Sequence, residues 1–197
     1  DVFFVFGIAG MIFGSISAAR ETNIRRMIAF SSVAQIGYIY MGFGLGTSLG
    51  VLASIYHMLS HAATKSLLFV SAAGLSESSA DSRELADLTG AGYRNAPAGM
   101  AFTVGALSMV GFPLFSGFIS KILFAQAAVN QSERMLPTMI ALALSTILNV
   151  IYFMRAVIVV YTPLRRVPEE KREGYQKIRM GTHPEITVVY VCFVLLN

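Results

Sequence analysis

The chain has 197 residues, of which 55% are hydrophobic and 13% charged, and a formal net charge of +4; a soluble domain carries about twice that charged share. With a mean hydropathy of +0.63 and apolar runs near the ~20 residues that cross a bilayer, the composition excludes a soluble domain, a disordered tail, a coiled coil and a disulfide scaffold. It predicts an all-α fold, a polytopic transmembrane helix bundle. The one cysteine, Cys192, has no partner for an internal disulfide and supplies no Cys-rich metal or iron–sulfur site, so the redox compartment stays open. The chain opens at Asp1 and stops at Asn197 inside an apolar run, with no signal-peptide pattern; a fragment of a longer protein is expected.

Residues 2–19 form the first expected span and end at a polar hinge of Arg20, Glu21, Arg25 and Arg26. Residues 27–46 form the second, with Ser31, Ser32 and Gln35 giving one face a polar stripe suited to packing inside a bundle. Gly42, Gly46 and Gly50 follow at a spacing of four, and with Thr47 and Ser48 between them a turn is favoured over a close helix approach. A third span covers 51–75. After the charged stretch 77–94, residues 96–130 carry one charge, Lys121, and would measure about 50 Å as one helix. Gly111, Pro113 and Gly117 divide them into pieces of roughly 14 residues, each about 20 Å long and too short to cross alone. A single broken crossing is therefore expected, followed by a fifth span at 135–163, a basic cytoplasmic linker at 164–185, and the start of a further helix at 186–197.

This threading places Arg20, Arg25, Arg26, Arg83, Arg94, Arg165, Arg166, Lys171, Arg172, Lys177 and Arg179 on one side and Arg134 alone on the other. Cytoplasmic loops are enriched in Lys and Arg, so the basic side is expected to be cytoplasmic. Two crossings at 96–130 would move the last six of these residues across and erase the asymmetry. The basic stretch 165–179 is interrupted by Glu169, Glu170 and Glu173, which suits a surface helix or anionic headgroups better than nucleic acid.

Three cations remain inside the spans, where a central Lys or Arg costs roughly 2.5–3.5 kcal/mol. Arg155 lies near the cytoplasmic end of the fifth span, and snorkelling to the headgroups accounts for it. Lys65 lies about 15 Å from the end of the third span, too deep to reach either surface, and needs water, a partner or a neutral form. His57, His61 and Lys65 are spaced i, i+4, i+8 and project from one helix face along roughly 12 Å, the geometry of a proton relay. Lys121 follows Gly117 by four residues near mid-membrane. Pro113 lacks an N–H and frees a carbonyl one turn back, so the break exposes polar backbone that needs water or protein partners. There is no phosphate-binding Gly loop, nucleophile elbow, H-E-x-x-H motif or carboxylate cluster, so no catalytic, cofactor-binding or metal residue is expected.

Three segments carry a family resemblance: TNIRRMIAFSSVAQIGY (22–38), HMLSHAATKSLLF (57–69) and GFPLFSGFISKILF (111–124). In this order and spacing they resemble the proton-translocating antiporter-like membrane subunits shared by respiratory complex I, Mrp-type cation/proton antiporters and membrane-bound hydrogenases of the hydrogenase-4 kind. The resemblance implies two inverted five-helix repeats, of which residues 1–163 would be the second, the C-terminal inverted-repeat half. It further implies that Lys121 on the broken helix exchanges protons with the outer side, with Lys65 as relay and His57 and His61 as its neighbours.

The expected function is then a proton half-channel in a complex I-like NADH:quinone oxidoreductase or an Mrp-type Na+/H+ antiporter, set in the bacterial cytoplasmic (inner) membrane. The partners would be other membrane subunits, the lipid bilayer and protons or Na+, with no nucleic acid and no cofactor. Whether the chain serves an enzyme is left to the complex it joins. A structural scaffold with merely paired Lys, or a secondary transporter with a midplane substrate pocket, stand as alternatives.

Overall fold

The computed structural model describes residues 1–129, 131–163, 174–178, 190–191 and 194–195. Among these the fold is all-α: α1 (Val2–Arg20), α2 (Ile24–Gly44), α3 (Ser48–Glu77), a 3-10 turn (Leu85–Leu88), α4 (Ala91–Arg94), α5 (Ala96–Val110), α6 (Ser116–Val129) and α7 (Ser132–Val160). Cys192, most of the linker 164–185 and most of the helix expected at 186–197 lie outside the described residues.

The helices run past the apolar stretches because polar residues cap them. Asn23 accepts from the Arg25 and Arg26 amides at 3.1 and 3.2 Å, which starts α2 at Ile24, three residues before its uncharged run. Thr47 accepts from the Gly50 amide at 2.9 Å and starts α3 at Ser48. Each cap satisfies a donor that the first helical turn would otherwise leave free. By length and composition α1, α2 and α7 can each cross a membrane. At 30 residues α3 is about 45 Å long, and His57, His61, Lys65 and its many hydroxyls make it the polar helix of the bundle. Both α5 and α6 are shorter and apolar, and α6 follows α5 after the break at 111–115.

Hydrogen bonds at the two ends of the bundle set which helix ends lie together. At one end the Ile24 amide donates to the Arg83 carbonyl at 2.9 Å and the Leu85 amide to Thr22 at 2.8 Å. Arg94 donates to the Ser78 and Thr89 carbonyls at 2.9 and 2.8 Å and to Ser79 Oγ at 2.6 Å. At the opposite end Arg134 donates to the Gly44 carbonyl and, at 2.5 Å, to Asp1. The start of α5 therefore sits with the ends of α1 and α3, and the start of α7 with the end of α2. Arg155 behaves differently from a snorkelling residue: half-buried, it donates to the Glu21 carbonyl at 2.5 Å, where the end of α1 leaves acceptors free.

Helices α1 and α2 approach so closely that a Cβ at Gly7 or Gly14 would run into the backbone of α2. Of the evenly spaced glycines, Gly46 makes the turn with φ +69°, while Gly42 and Gly50 bring α2 and α3 together. Turn and close approach therefore coexist, one position apart in the series.

The apolar core is in two parts. One, toward the Arg94 end, is built on Ile24, Ile28, Leu67, Phe102 and Phe153; the other, toward the Arg134 end, on Met11, Tyr38, Met41, Phe124 and Leu142. Between them along each long helix lies a buried polar layer: Ser15, Ser31, Gln35, His57, Thr64, Lys65, Ser108, Ser120, Ser145 and Asn149.

A polar layer at the helix break

The break is a helix C-cap. Gly111 adopts φ +86°, its amide bonds the Ser108 carbonyl at 3.0 Å, and the Phe112 amide reaches back to Leu107 at 3.0 Å, the Schellman pattern that ends α5. Pro113 follows in the connection. The carbonyl one turn before it, that of Met109, receives the Asn149 side-chain amide at 3.4 Å. Restart of the helix at Ser116 depends on Gly117, where a Cβ would collide with the Ser108 carbonyl oxygen. The glycine lets α6 seat directly on the end of α5.

Lys121 folds back over this break. Its Nζ donates to the Val110 carbonyl at 2.5 Å, and its side chain covers the face of Gly111 where a side chain would otherwise project. Beside it is a small cavity lined by Gln35, His57, Ser60, His61, Thr64, Ser108 and Gly117 together with Lys121. Its volume of about 10 Å³ is close to the ~10–15 Å³ that admits one water.

His57 is 4% exposed and its Nδ1 lies 3.0 Å from Ser120 Oγ. Ser120 gives its hydroxyl proton to the Gly117 carbonyl at 2.9 Å, so Nδ1 carries the proton and donates, and Nε2 is left as an acceptor. Among the described residues Nε2 has no partner, nor has Nδ1 of His61 or Nε2 of Gln35. The two imidazoles stack with centroids 6.0 Å apart and planes 13° from parallel; Tyr38 and Phe124 pack on His57 at 5.4 and 5.5 Å. A hydroxyl ladder runs alongside: Ser60 donates to Ser116 at 2.7 Å, Ser116 is 3.3 Å from Ser108, and Ser108 is 3.4 Å from Thr64.

The structure thus gathers Lys121, His57 and His61 around one cavity, with Gly111 and Gly117 shaping the break. It directs the Lys65 ammonium elsewhere. Lys65, 7% exposed, donates to the Ile28 carbonyl at 2.9 Å and to Ser31 Oγ, and its Nζ lies 5.9 Å from the Phe153 ring centroid. An ammonium has three donors to place, and α2 supplies two acceptors, the Ile28 carbonyl and Ser31 Oγ. Sequence reasoning passed over Ser60, Ser108, Ser116, Ser120, Asn149 and Tyr152. The signal that could have found Asn149 is a lone amide midway along the apolar 135–163 run; the serines give no such signal.

A membrane helix bundle with a broken helix, buried lysines and a polar layer between two apolar cores is the class that the fold and site define. The chain belongs to the NADH:quinone oxidoreductase/Mrp antiporter transmembrane family, whose model matches residues 1–154. It is 36% identical over 149 residues to NADH-quinone oxidoreductase subunit N of Desulforudis audaxviator (strain MP104C), an alignment covering 76% of this chain and 29% of that protein. The chain spans about a third of the length of the curated relatives it matches. Two solved structures share the fold. The membrane-bound sulfane sulfur reductase, an archaeal respiratory membrane complex, has a chain with TM-score 0.82 at 24% identity, covering 99% of this chain and 38% of that one. The Mrp complex from Dietzia sp. DQ12-45-1b has one with TM-score 0.81 at 23% identity, covering 99% and 43%.

Proposed function

We propose that the chain forms a proton half-channel within an antiporter-like subunit of a complex I-like NADH:quinone oxidoreductase or an Mrp-type Na+/H+ antiporter in a bacterial cytoplasmic membrane. The observation that carries this reading is the convergence of Lys121, His57 and His61 on one mid-bundle cavity at a helix break, a place where exposed backbone and water are tolerated in a membrane protein. Lys121 takes or gives a proton toward the outer side. His57 and His61 present ring nitrogens without partners among the described residues to the same space, and each can pass a proton on through one intervening water. Lys65 holds the inner end of the route, where Ser31 is its hydroxyl contact. The residues of this chain move protons; the energy that drives them comes from partner subunits of the same membrane complex.

The test is a graded series, measured as proton pumping per assembled complex in membrane vesicles. Lys65→Ala is expected to abolish pumping, His61→Ala to reduce it substantially and His57→Ala to have the mildest effect, with assembly retained. A scaffold would show the reverse: reduced assembly with undiminished pumping by whatever complex remains. The neighbouring genes choose between the two complexes. Quinone, iron–sulfur and flavin subunits mark an oxidoreductase, and small Mrp subunits mark a cation antiporter.

A further inference from the structure

The last four carbonyls of α5 have no partner within their own helix, and each is satisfied in a different way. Leu107 accepts from the Gly111 and Phe112 amides and Ser108 from the Gly111 amide. Met109 accepts from Asn149 on α7 and Val110 from Lys121 on α6. Asn149 and Lys121 therefore hold neighbouring carbonyls of the same unwound end.

Asn149 is itself held. Tyr152, one turn along α7, donates its single hydroxyl proton to Asn149 Oδ1 at 2.5 Å. This fixes the amide with Nδ2 toward Met109, since the flipped amide would set its oxygen against the Met109 carbonyl. Tyr152 is held through its ring as well. Its ring packs on Phe153 at 4.7 Å, and Phe153 faces the Lys65 ammonium. Asn149, Tyr152 and Phe153 are fully buried, so water is not an alternative partner for this pair.

We propose that Asn149 and Tyr152 are a positioning pair that holds the unwound end of α5 on which Lys121 is seated. The pair rests on the proton route proposed above. The Tyr152 proton holds Asn149, Asn149 holds Met109, and the carbonyl so held keeps Val110 presented to Lys121. The titratable groups that face the break are Lys121, His57 and His61, with Lys65 beyond them on α3; among the described residues the polar layer contains no Asp or Glu.

The experiment compares Asn149→Leu, Tyr152→Phe, the double variant and Lys121→Met in vesicles containing the assembled complex. It records assembly, pumping per assembled complex and the pH profile of pumping. The two single variants are expected to assemble and to pump roughly tenfold more slowly, the scale of one lost buried hydrogen bond. Their profiles should move toward alkaline pH, because the freed Met109 carbonyl gives the Lys121 ammonium a second acceptor. The double variant should be no slower than either single one, since the two residues act as a unit. Tyr152→Phe keeps the ring on Phe153 and carries the test should Asn149→Leu fail to assemble. Wild-type pumping and pH profile in Tyr152→Phe, with Lys121→Met inactive, would overturn the positioning pair alone. Normal pumping by Lys121→Met would overturn the proton route and the pair with it.

Discussion

Lys65 and Lys121 solve the same problem with different neighbours. Each brings an ammonium into apolar surroundings at a cost of roughly 2.5–3.5 kcal/mol, and each recovers part of it from a backbone carbonyl, Ile28 for Lys65 and Val110 for Lys121. The titratable residues were legible in the sequence because a charge inside an apolar run has few bland explanations. The neutral residues that orient them were not. Ser60, Ser108, Ser116 and Ser120 are spread over α3, α5 and α6, and a serine in an apolar helix is unremarkable until packing aligns it with others. The i, i+4, i+8 spacing groups His57, His61 and Lys65 on α3, but spacing fixes only where a side chain starts; the long Lys65 chain ends on α2. Ser120 supplies a prediction at this scale. Ser120→Ala leaves the buried Nδ1 proton of His57 without an acceptor, at a cost of about 1–3 kcal/mol. A lower thermal midpoint of the detergent-solubilised complex, with slower pumping per assembled complex, is expected; an unchanged midpoint would mean that His57 does not depend on Ser120.

Among the elements, the broken crossing was legible in outline, because 96–130 was too long for one helix and carried Gly111, Pro113 and Gly117. The division of labour among the three was not, since it depends on φ and on packing. Gly111 ends α5 through its left-handed conformation, Gly117 allows α6 to seat on the Ser108 carbonyl, and Pro113 follows a helix that has already stopped. Helix bounds at 24 and 48 instead of 27 and 51 arise in the same way, from the Asn23 and Thr47 caps, which a reading by hydropathy does not weigh. Two substitutions separate these roles. Gly117→Ala drives a Cβ into backbone that cannot rotate away, and overpacking of this kind costs about 1–3 kcal/mol, so reduced assembly is the expected outcome. Gly111→Ala adds roughly 1–2 kcal/mol for a left-handed non-glycine residue and places a methyl against the Lys121 chain. It should impair pumping more than assembly. Equal pumping per assembled complex in Gly111→Ala and wild type would show that the seat of Lys121 on Val110 is not needed.

The whole molecule is two apolar cores separated by a polar layer that every long helix crosses. Such a layer is expensive in a membrane unless its groups are paired or hydrated. Its position, level with the helix break, is what unites Lys121 with the histidines of α3. The two ends differ in charge: Arg20, Arg25, Arg26, Arg83 and Arg94 lie at one and Arg134 at the other, and the orientation expected from this asymmetry puts Arg134 outside. With Cys192 replaced by Ser, a cysteine at the exposed Ser132 should react with an impermeant thiol reagent applied to intact cells, and one at the exposed Glu84 should not. The opposite pattern would invert the proposed direction of proton flow.

Proton transport through the broken crossing is the central claim, and Lys121→Met tests it most directly. Methionine keeps an unbranched chain over Gly111 and removes the charge, the exchangeable proton and the bond to the Val110 carbonyl. In vesicles containing equal amounts of assembled complex, the variant is expected to assemble normally and to give no proton-pumping signal. Pumping at the wild-type rate per assembled complex would contradict the account.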